Sequence, residues 1–215
     1  MHPDRIAELL GPFLRPVSGN PRAVELLPAQ LQSISTYIDL LLRWNARMNL
    51  TSVRQPEEIV PRHFGESFFA ARHLFPDGQT IPAEEQAASG IQVIDVGSGA
   101  GFPGLPIKIW APYIHLTLIE SNHKKATFLR EVARSLALTD IDVFTGRAES
   151  FLAPTANEAM SAPANKRGKI VTLRAVERFD VVLPAAANLL ESSGRLALLI
   201  GKPQIDQVAT VAALE

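Results

Sequence analysis

Val93-Ile94-Asp95-Val96-Gly97-Ser98-Gly99-Ala100-Gly101-Phe102-Pro103-Gly104 is the stretch whose reading decides the fold. Apolar residues run into an acid and then into a dense glycine turn. That pattern is a buried strand feeding a loop whose backbone comes very close to a ligand. Further along, Leu116-Thr117-Leu118-Ile119-Glu120 repeats it: a second apolar strand that ends on a carboxylate. An acid there can hold both hydroxyls of a ribose. Together the two segments point to a nucleoside-containing cofactor across the carboxyl ends of parallel strands.

A dinucleotide site asks for G-x-G-x-x-G, whose third glycine lets the helix pack closely and frees its start for a pyrophosphate. Here Phe102 stands at that place, followed by Pro103. A bulky ring crowds a diphosphate, so the loop of Gly97, Gly99 and Gly101 suits a ligand with no phosphate. Asp95, just before the first glycine, fits a ligand with a positive amine. S-adenosylmethionine has a ribose, an adenine, an ammonium and no phosphate.

The 215 residues suffice for one large domain, or a domain with a small appendage. No apolar run approaches the roughly 18 residues of a membrane span, and Met1-His2-Pro3-Asp4-Arg5 lacks a signal-peptide pattern. The expected setting is the cytoplasm. With no cysteine, thiolate chemistry and cysteine metal sites are excluded. The five histidines show no paired metal spacing, so no metal is expected. A net charge of −1 means that a nucleic-acid substrate needs a local basic face.

Residues 1–75 read as a helical cap, with Leu31, Ile34, Tyr37, Ile38, Leu41 and Leu42 along one face of a long amphipathic helix. Pro56-Glu57-Glu58 looks like a helix start, and another helix is expected from Pro61 to about Leu74. Residues 76–90 read as a connector. From residue 91 to 215 the texture is alternating strand and helix. Strands are expected near 91–96, 115–120, 141–145, 169–173 and 195–200. Helices are expected after Pro103, over 122–137 and over 176–191. The alternation predicts a parallel sheet with helices on both faces, an α/β class. Residues 153–168 read as an inserted loop.

Several residues have two readings from spacing alone. Ala148 and Glu149, after the third strand, could border an adenine or simply begin a helix with a dipole-matched acid. Arg174, closing the fourth strand, lies at the ligand crevice, with a surface ion pair as the alternative. Near the end of the long helix, Arg47, Arg54, Arg62 and His63, beside asparagines and Trp44, would suit phosphate contact and base stacking. There the plainer reading has more weight: a solvated face, with Asn45, Asn49 and Thr51 as caps and Trp44 as core.

Trp44-Asn45, Asn49-Leu50-Thr51, Arg62-His63 with Ser67, the glycine loop through Gly104, Glu120-Ser121 with Lys124-Lys125, and Arg174-Ala175-Val176 occur in one order. The chain thereby resembles the bacterial small-subunit rRNA guanine-N7 methyltransferases, the glucose-inhibited division protein B family, over roughly residues 30 to 202. The resemblance implies a class I, Rossmann-like methyltransferase fold with an N-terminal helical cap. It implies S-adenosylmethionine-dependent methylation of guanine N7 in a 16S rRNA loop of the decoding region, on naked rRNA or a subunit particle. No membrane and no obligate protein partner is expected.

By the same resemblance Gly97 and Phe102 line the methionine side, Glu120 holds the ribose, Ala148 and Glu149 border the adenine, and Arg174 sits at the cofactor–substrate junction. Arg174 is the positioning candidate, and no single catalytic residue is assigned. The competing functions are methylation of another small molecule or RNA, and RNA binding with an inactive cofactor site.

Glu66 stands where the family usually has aspartate, and the 153–168 loop is longer than usual. The family's C-terminal strand hairpin is expected to be missing. Ile205, Val208, Val211 and Ala212 have helical spacing. The expectation is five parallel strands, one terminal helix and an open edge at 195–200.

Overall fold

A computed structural model of the chain describes residues 1–15, 24–76, 90–152, 166–176 and 178–212. The N-terminal third is helical: α1 (Pro3–Leu10), α2 (Pro28–Asn45), α3 (Pro56–Ile59) and α4 (Glu66–Leu74), with a π-helical segment, Val60–Gly65, joining α3 to α4. Helix α2 begins on Pro28, whose missing N–H would be unpaired there in any case. It ends at Asn45, whose Oδ1 accepts from the N–H groups of Leu50 (2.9 Å) and Thr51 (3.1 Å), while its Nδ2 donates to the Thr51 carbonyl. The cap therefore builds the turn that carries Thr51. The helix expected from Pro61 is continuous with the one before it. Its first turns are widened into the π segment, a local form frequent at functional sites.

The second half alternates: β1 (Gln92–Val96), α5 (Gly104–Trp110), β2 (His115–Glu120), α6 (His123–Ser135), β3 (Ile141–Thr145), α7 (Ala148–Phe151), β4 (Gly168–Arg174), α8 (Phe179–Ala187), β5 (Leu190–Leu199) and α9 (Lys202–Ala212). All neighbouring strands pair in parallel, in the order β3-β2-β1-β4-β5. The five strands and the terminal helix fall where the spacing places them, and β5 lies at one edge. Two boundaries differ. Helix α8 starts at Phe179, because Ala175 and Arg178 take left-handed backbone angles (φ 48° and 52°) that no helix accommodates. Strand β5 starts at Leu190, with a register shift against Gly168/Ile170, so the polar Glu191-Ser192-Ser193-Gly194 is a bulged strand start. Most of the loop expected over 153–168, and all but the ends of the 76–90 connector, lie outside the described residues.

Pleating divides each strand between two cores. Ile94, Val96, Ile119, Val171 and Leu173 pack against Ala185, Ala186 and Leu189 of the α8 region. On the other face, Val93, Leu116 and Leu118 join Leu105 and Trp110 of α5, Phe128 of α6, and Ile6, Ile34, Tyr37, Phe64 and Phe68 of the N-terminal helices. The N-terminal helices thus share one core with the sheet.

Candidate active site

From β1 the chain winds to β2 on one side and reaches β4 on the other. The strand order reverses between β1 and β4, and ligands of open α/β sheets bind in the crevice outside such a point. A cleft of about 660 Å³ opens there. Gly97, Gly99, Phe102, Glu120, Ala148, Glu149, Arg174, Arg62 and His63 all line it, so most of the residues singled out in the sequence come together. Asp95, Gly101, Arg47 and Arg54 do not line it. Among the described residues that line it are five cations (Arg62, Lys125, Arg147, Arg174, Arg178) and two carboxylates, Glu120 and Glu149, while Arg174 is paired with Glu66 beside the cleft. A chain that is nearly neutral overall therefore carries a locally basic cleft.

The glycine loop is pinned to β2. Gly97 and Ser98 donate their N–H groups to the Ile119 carbonyl at 2.9 and 3.1 Å. Glu120, 6% exposed, accepts from Gly99 N–H on Oε2 and from Asn122 N–H on Oε1, both at 2.8 Å. Each of its oxygens has a lone pair left for a ligand hydroxyl. Asn122 in turn caps α6 by accepting from Lys124 and Lys125. Gly99 has φ +56°, and a Cβ added there would meet nothing nearer than the Gly97 carbonyl at 3.7 Å; the space is the cleft.

Beneath the loop an aromatic stack ties it to the helices. The Phe102 ring, 5% exposed, lies parallel to Tyr37 (5.3 Å, 2°) and stacks on His63 (4.9 Å, 29°), with Phe64 edge-on at 5.1 Å. Tyr37 Oη donates to the Ala100 carbonyl at 2.5 Å. Gly101 (φ +90°) faces this stack, where a Cβ would strike Tyr37 Oη and approach Leu105 to 2.6 Å. It serves the packing of the loop rather than the cleft. Helical spacing shows Tyr37 only as a helix-face residue; its polar tip on an otherwise apolar face is the signal that it needs a partner.

Asp95 is fully buried on the pleat face it shares with Val93. Thr172 Oγ1 donates to its Oδ1 at 2.7 Å, and Oδ2 has no hydrogen-bond partner. It supports the loop from below and is not presented to a ligand amine. Burial pushes its carboxyl up to about 6, against the opposing pull of Thr172, Ser98, Gly104 N–H and Arg174. His63 is pushed down to about 4 by burial and by the Arg174 and Arg62 charges, so it is neutral at pH 7.

Arg174 leaves the end of β4 and reaches the helices. Its Nε and Nη2 donate to Glu66 Oε2 (3.1 and 2.7 Å), and Nη2 also reaches the Arg62 carbonyl (2.9 Å) and His63 Nδ1 (3.1 Å). Guanidinium only donates, so His63 Nδ1 accepts, and Nε2–H donates to Thr51 Oγ1 at 2.7 Å. Thr51, His63 and Arg174 line the cleft, and their hydrogen-bonded chain ends on Glu66 in the adjoining hollow. In the sequence Glu66 stands out only as a departure from the family pattern; its place four residues after Arg62, on the same helix face, is the one signal of a site role. Trp44 donates to Glu131 Oε2 (3.1 Å) and packs on Phe128, the core reading. Arg47 and Arg54 are exposed, with Arg54 3.5 Å from Asn49 Oδ1.

The two shifted groups have opposite effects on stability. Between the ordinary Asp value of 3.8 and about 6, the folded chain keeps the Asp95 proton that the unfolded chain has lost, so stability falls as pH rises through about 6. For His63 the unfolded chain holds the extra proton between about 4 and 6.5, so stability falls as pH drops through that window. Each shift amounts to roughly 3 kcal/mol, and the two largely cancel. Asp95→Asn removes one of them, so the variant loses stability steadily from pH 6.5 to 4. Urea midpoints across that range check this, and a variant profile no steeper than wild type contradicts it.

A parallel sheet of this order, with a glycine loop after β1 and an acid ending β2, defines a class I methyltransferase fold. Residues 30–214 match the family model described as GidB, rRNA small subunit methyltransferase G. Among curated relatives, ribosomal RNA small subunit methyltransferase G of Chloroflexus aggregans is 37% identical over 86% of this chain and 70% of its own length. The enzymes of that name from Bacillus subtilis and Chromobacterium violaceum are 34% and 32% identical, over 83% and 87% of this chain and 67% and 78% of theirs. The chain belongs to the small-subunit rRNA methyltransferase G family.

Proposed function

We propose that this protein uses S-adenosylmethionine to methylate N7 of a guanine in a 16S rRNA loop of the decoding region, in the cytoplasm. One observation carries the reading: Glu120 and the open face of Gly99 meet at the strand-order reversal, directly beside a basic rim. The cofactor fits this cleft by its chemistry. Glu120 would meet the ribose hydroxyls with its spare lone pairs, the buried Ala148 and the exposed Glu149 would border the adenine, and the loop that Phe102 closes would face no phosphate. When bound, the cofactor supplies an electrophilic methyl group on a sulfonium.

The chain's own residues bind, orient and exclude water. Guanine N7 carries an in-plane lone pair and no proton, so its attack requires no general base. The site is consistent with this, since His63 is neutral but its Nδ1 lone pair is taken by Arg174. Rate then comes from alignment and from electrostatics fixed in advance. Arg62, Lys125, Arg147 and Arg178 are the candidates for phosphate contact at the cleft itself, with Arg47 and Arg54 as outlying ones.

The test is incubation of the protein and S-adenosylmethionine with undermethylated 16S rRNA, naked and in small subunits, followed by nucleoside mass spectrometry. The expected product is 7-methylguanosine at one position; methyl groups elsewhere, or none, overturn the reading. Glu120→Ala should weaken cofactor binding by about 1–3 kcal/mol, the scale of hydrogen bonds to a charged group. Titration calorimetry reads this directly, and unchanged affinity would remove Glu120 from the ribose.

A further inference from the structure

The Thr51–His63–Arg174–Glu66 chain leaves two polar groups unused. Arg174 Nη2 has two hydrogens and three acceptors around it: Glu66 Oε2, the Arg62 carbonyl and His63 Nδ1. Nε is held by the same Glu66 oxygen. Nη1 makes no hydrogen bond among the described residues, and Arg174 lines the cleft. Glu66 engages only Oε2, and its side chain is 45% exposed. A free donor in the cleft and a free acceptor in the adjoining hollow, which shares Arg62 with the cleft, therefore sit on one ion pair, in a fixed order.

Resting on the function proposed above, we propose that Arg174 and Glu66 read the Watson–Crick edge of the target guanine: Arg174 Nη1 donates to O6 and Glu66 Oε1 accepts from the N2 amino group. Arginine commonly meets guanine with a two-pronged fork over O6 and N7. That fork would occupy the lone pair that must take the methyl group. Here Nη2 is saturated by protein acceptors, so the fork is unavailable and a single donor remains for O6. N7 stays free. Adenine presents an amino donor where guanine has O6 and lacks the N2 donor, so it meets donor against donor and leaves Glu66 unpaired. Reading this edge requires an unpaired base, as in a loop. Methylation also leaves positive charge on the base, which a carboxylate at N2 stabilises more in the product than in the substrate. In this scheme Glu66 has two tasks: it orients Arg174 and it contacts the base.

The experiment compares an rRNA fragment carrying the target guanosine with one carrying inosine, which keeps N7 and O6 but lacks the N2 amino group. For the wild-type protein kcat/KM falls about 5- to 150-fold on inosine, the range of a base-reading contact. Cofactor affinity, measured by calorimetry, stays the same. In Glu66→Gln the amide oxygen turns to Arg174 and its NH2 group to the base, so activity on guanosine drops and the guanosine-to-inosine ratio approaches one. Glu66→Asp retains a ratio well above one. Equal wild-type rates on the two fragments overturn the proposal without any variant, and so does a Glu66→Gln protein that keeps the wild-type ratio. A wild-type protein that methylates guanosine in the fragment at a position other than N7, or not at all, refutes the function itself and this proposal with it.

Discussion

Gly99→Val abolishes S-adenosylmethionine binding, lowering affinity by at least a hundredfold, while most of the fold survives. Gly99 sits at φ +56°, a region that a β-branched residue enters only at a cost of roughly 1–3 kcal/mol. The nearest atom to an added Cβ is the Gly97 carbonyl at 3.7 Å, so the protein can house the side chain. The isopropyl group then occupies the cleft, where the cofactor has to lie against the loop. The strained backbone also disturbs the Gly99 N–H bond to Glu120, so the ribose-binding carboxylate loses its placement. Calorimetry gives the affinity and circular dichroism the fold. A folded variant that binds within tenfold of wild type would move the cofactor away from this loop.

Two residues on, the same kind of change acts on stability instead. Gly101→Val destabilises the protein by about 3 kcal/mol or more. At φ +90° the backbone is closed to valine, and its Cβ would collide with Tyr37 Oη and press on Leu105 at 2.6 Å. Tyr37 cannot yield freely, because it donates to the Ala100 carbonyl and is stacked on Phe102. For a chain of this size a loss of 3 kcal/mol lowers the melting temperature by about 6–12 °C. Thermal unfolding measures it, and a shift below about 2 °C would mean that the loop and α2 are not locked together. Gly99 and Gly101 look alike in the sequence, yet one faces the cleft and the other the core.

That contrast marks what was legible. Strand and helix placement followed from local periodicity: apolar runs ending on Asp95 and Glu120, and the helical spacing of 205, 208, 211 and 212. The acid ending β2 could be assigned because a parallel sheet sends every such residue to the same edge. The position of Asp95, immediately before the glycines, suggests a ligand contact. Pleating turned it to the opposite side, into a site with one unpaired oxygen. The helix expected over 176–191 runs past Leu190, where β5 begins, and Ser192-Ser193-Gly194 falls outside both expected elements, since a bulge carries no periodic signal.

By itself, then, the sequence determined the α/β class, the five parallel strands, the terminal helix and the family, all properties written in short-range spacing and in ordered motifs. Tertiary structure alone decided that the N-terminal helices share their core with the sheet, that Phe102 lies between Tyr37 and His63, and that Glu66 meets Arg174 from 108 residues away. Such contacts depend on which way a side chain points once distant elements pack. Local propensity carries no record of a partner that lies far along the chain. Burial and charge then set the state of His63 and Asp95, because desolvation and the Arg174 field exist only after the chain has closed around them.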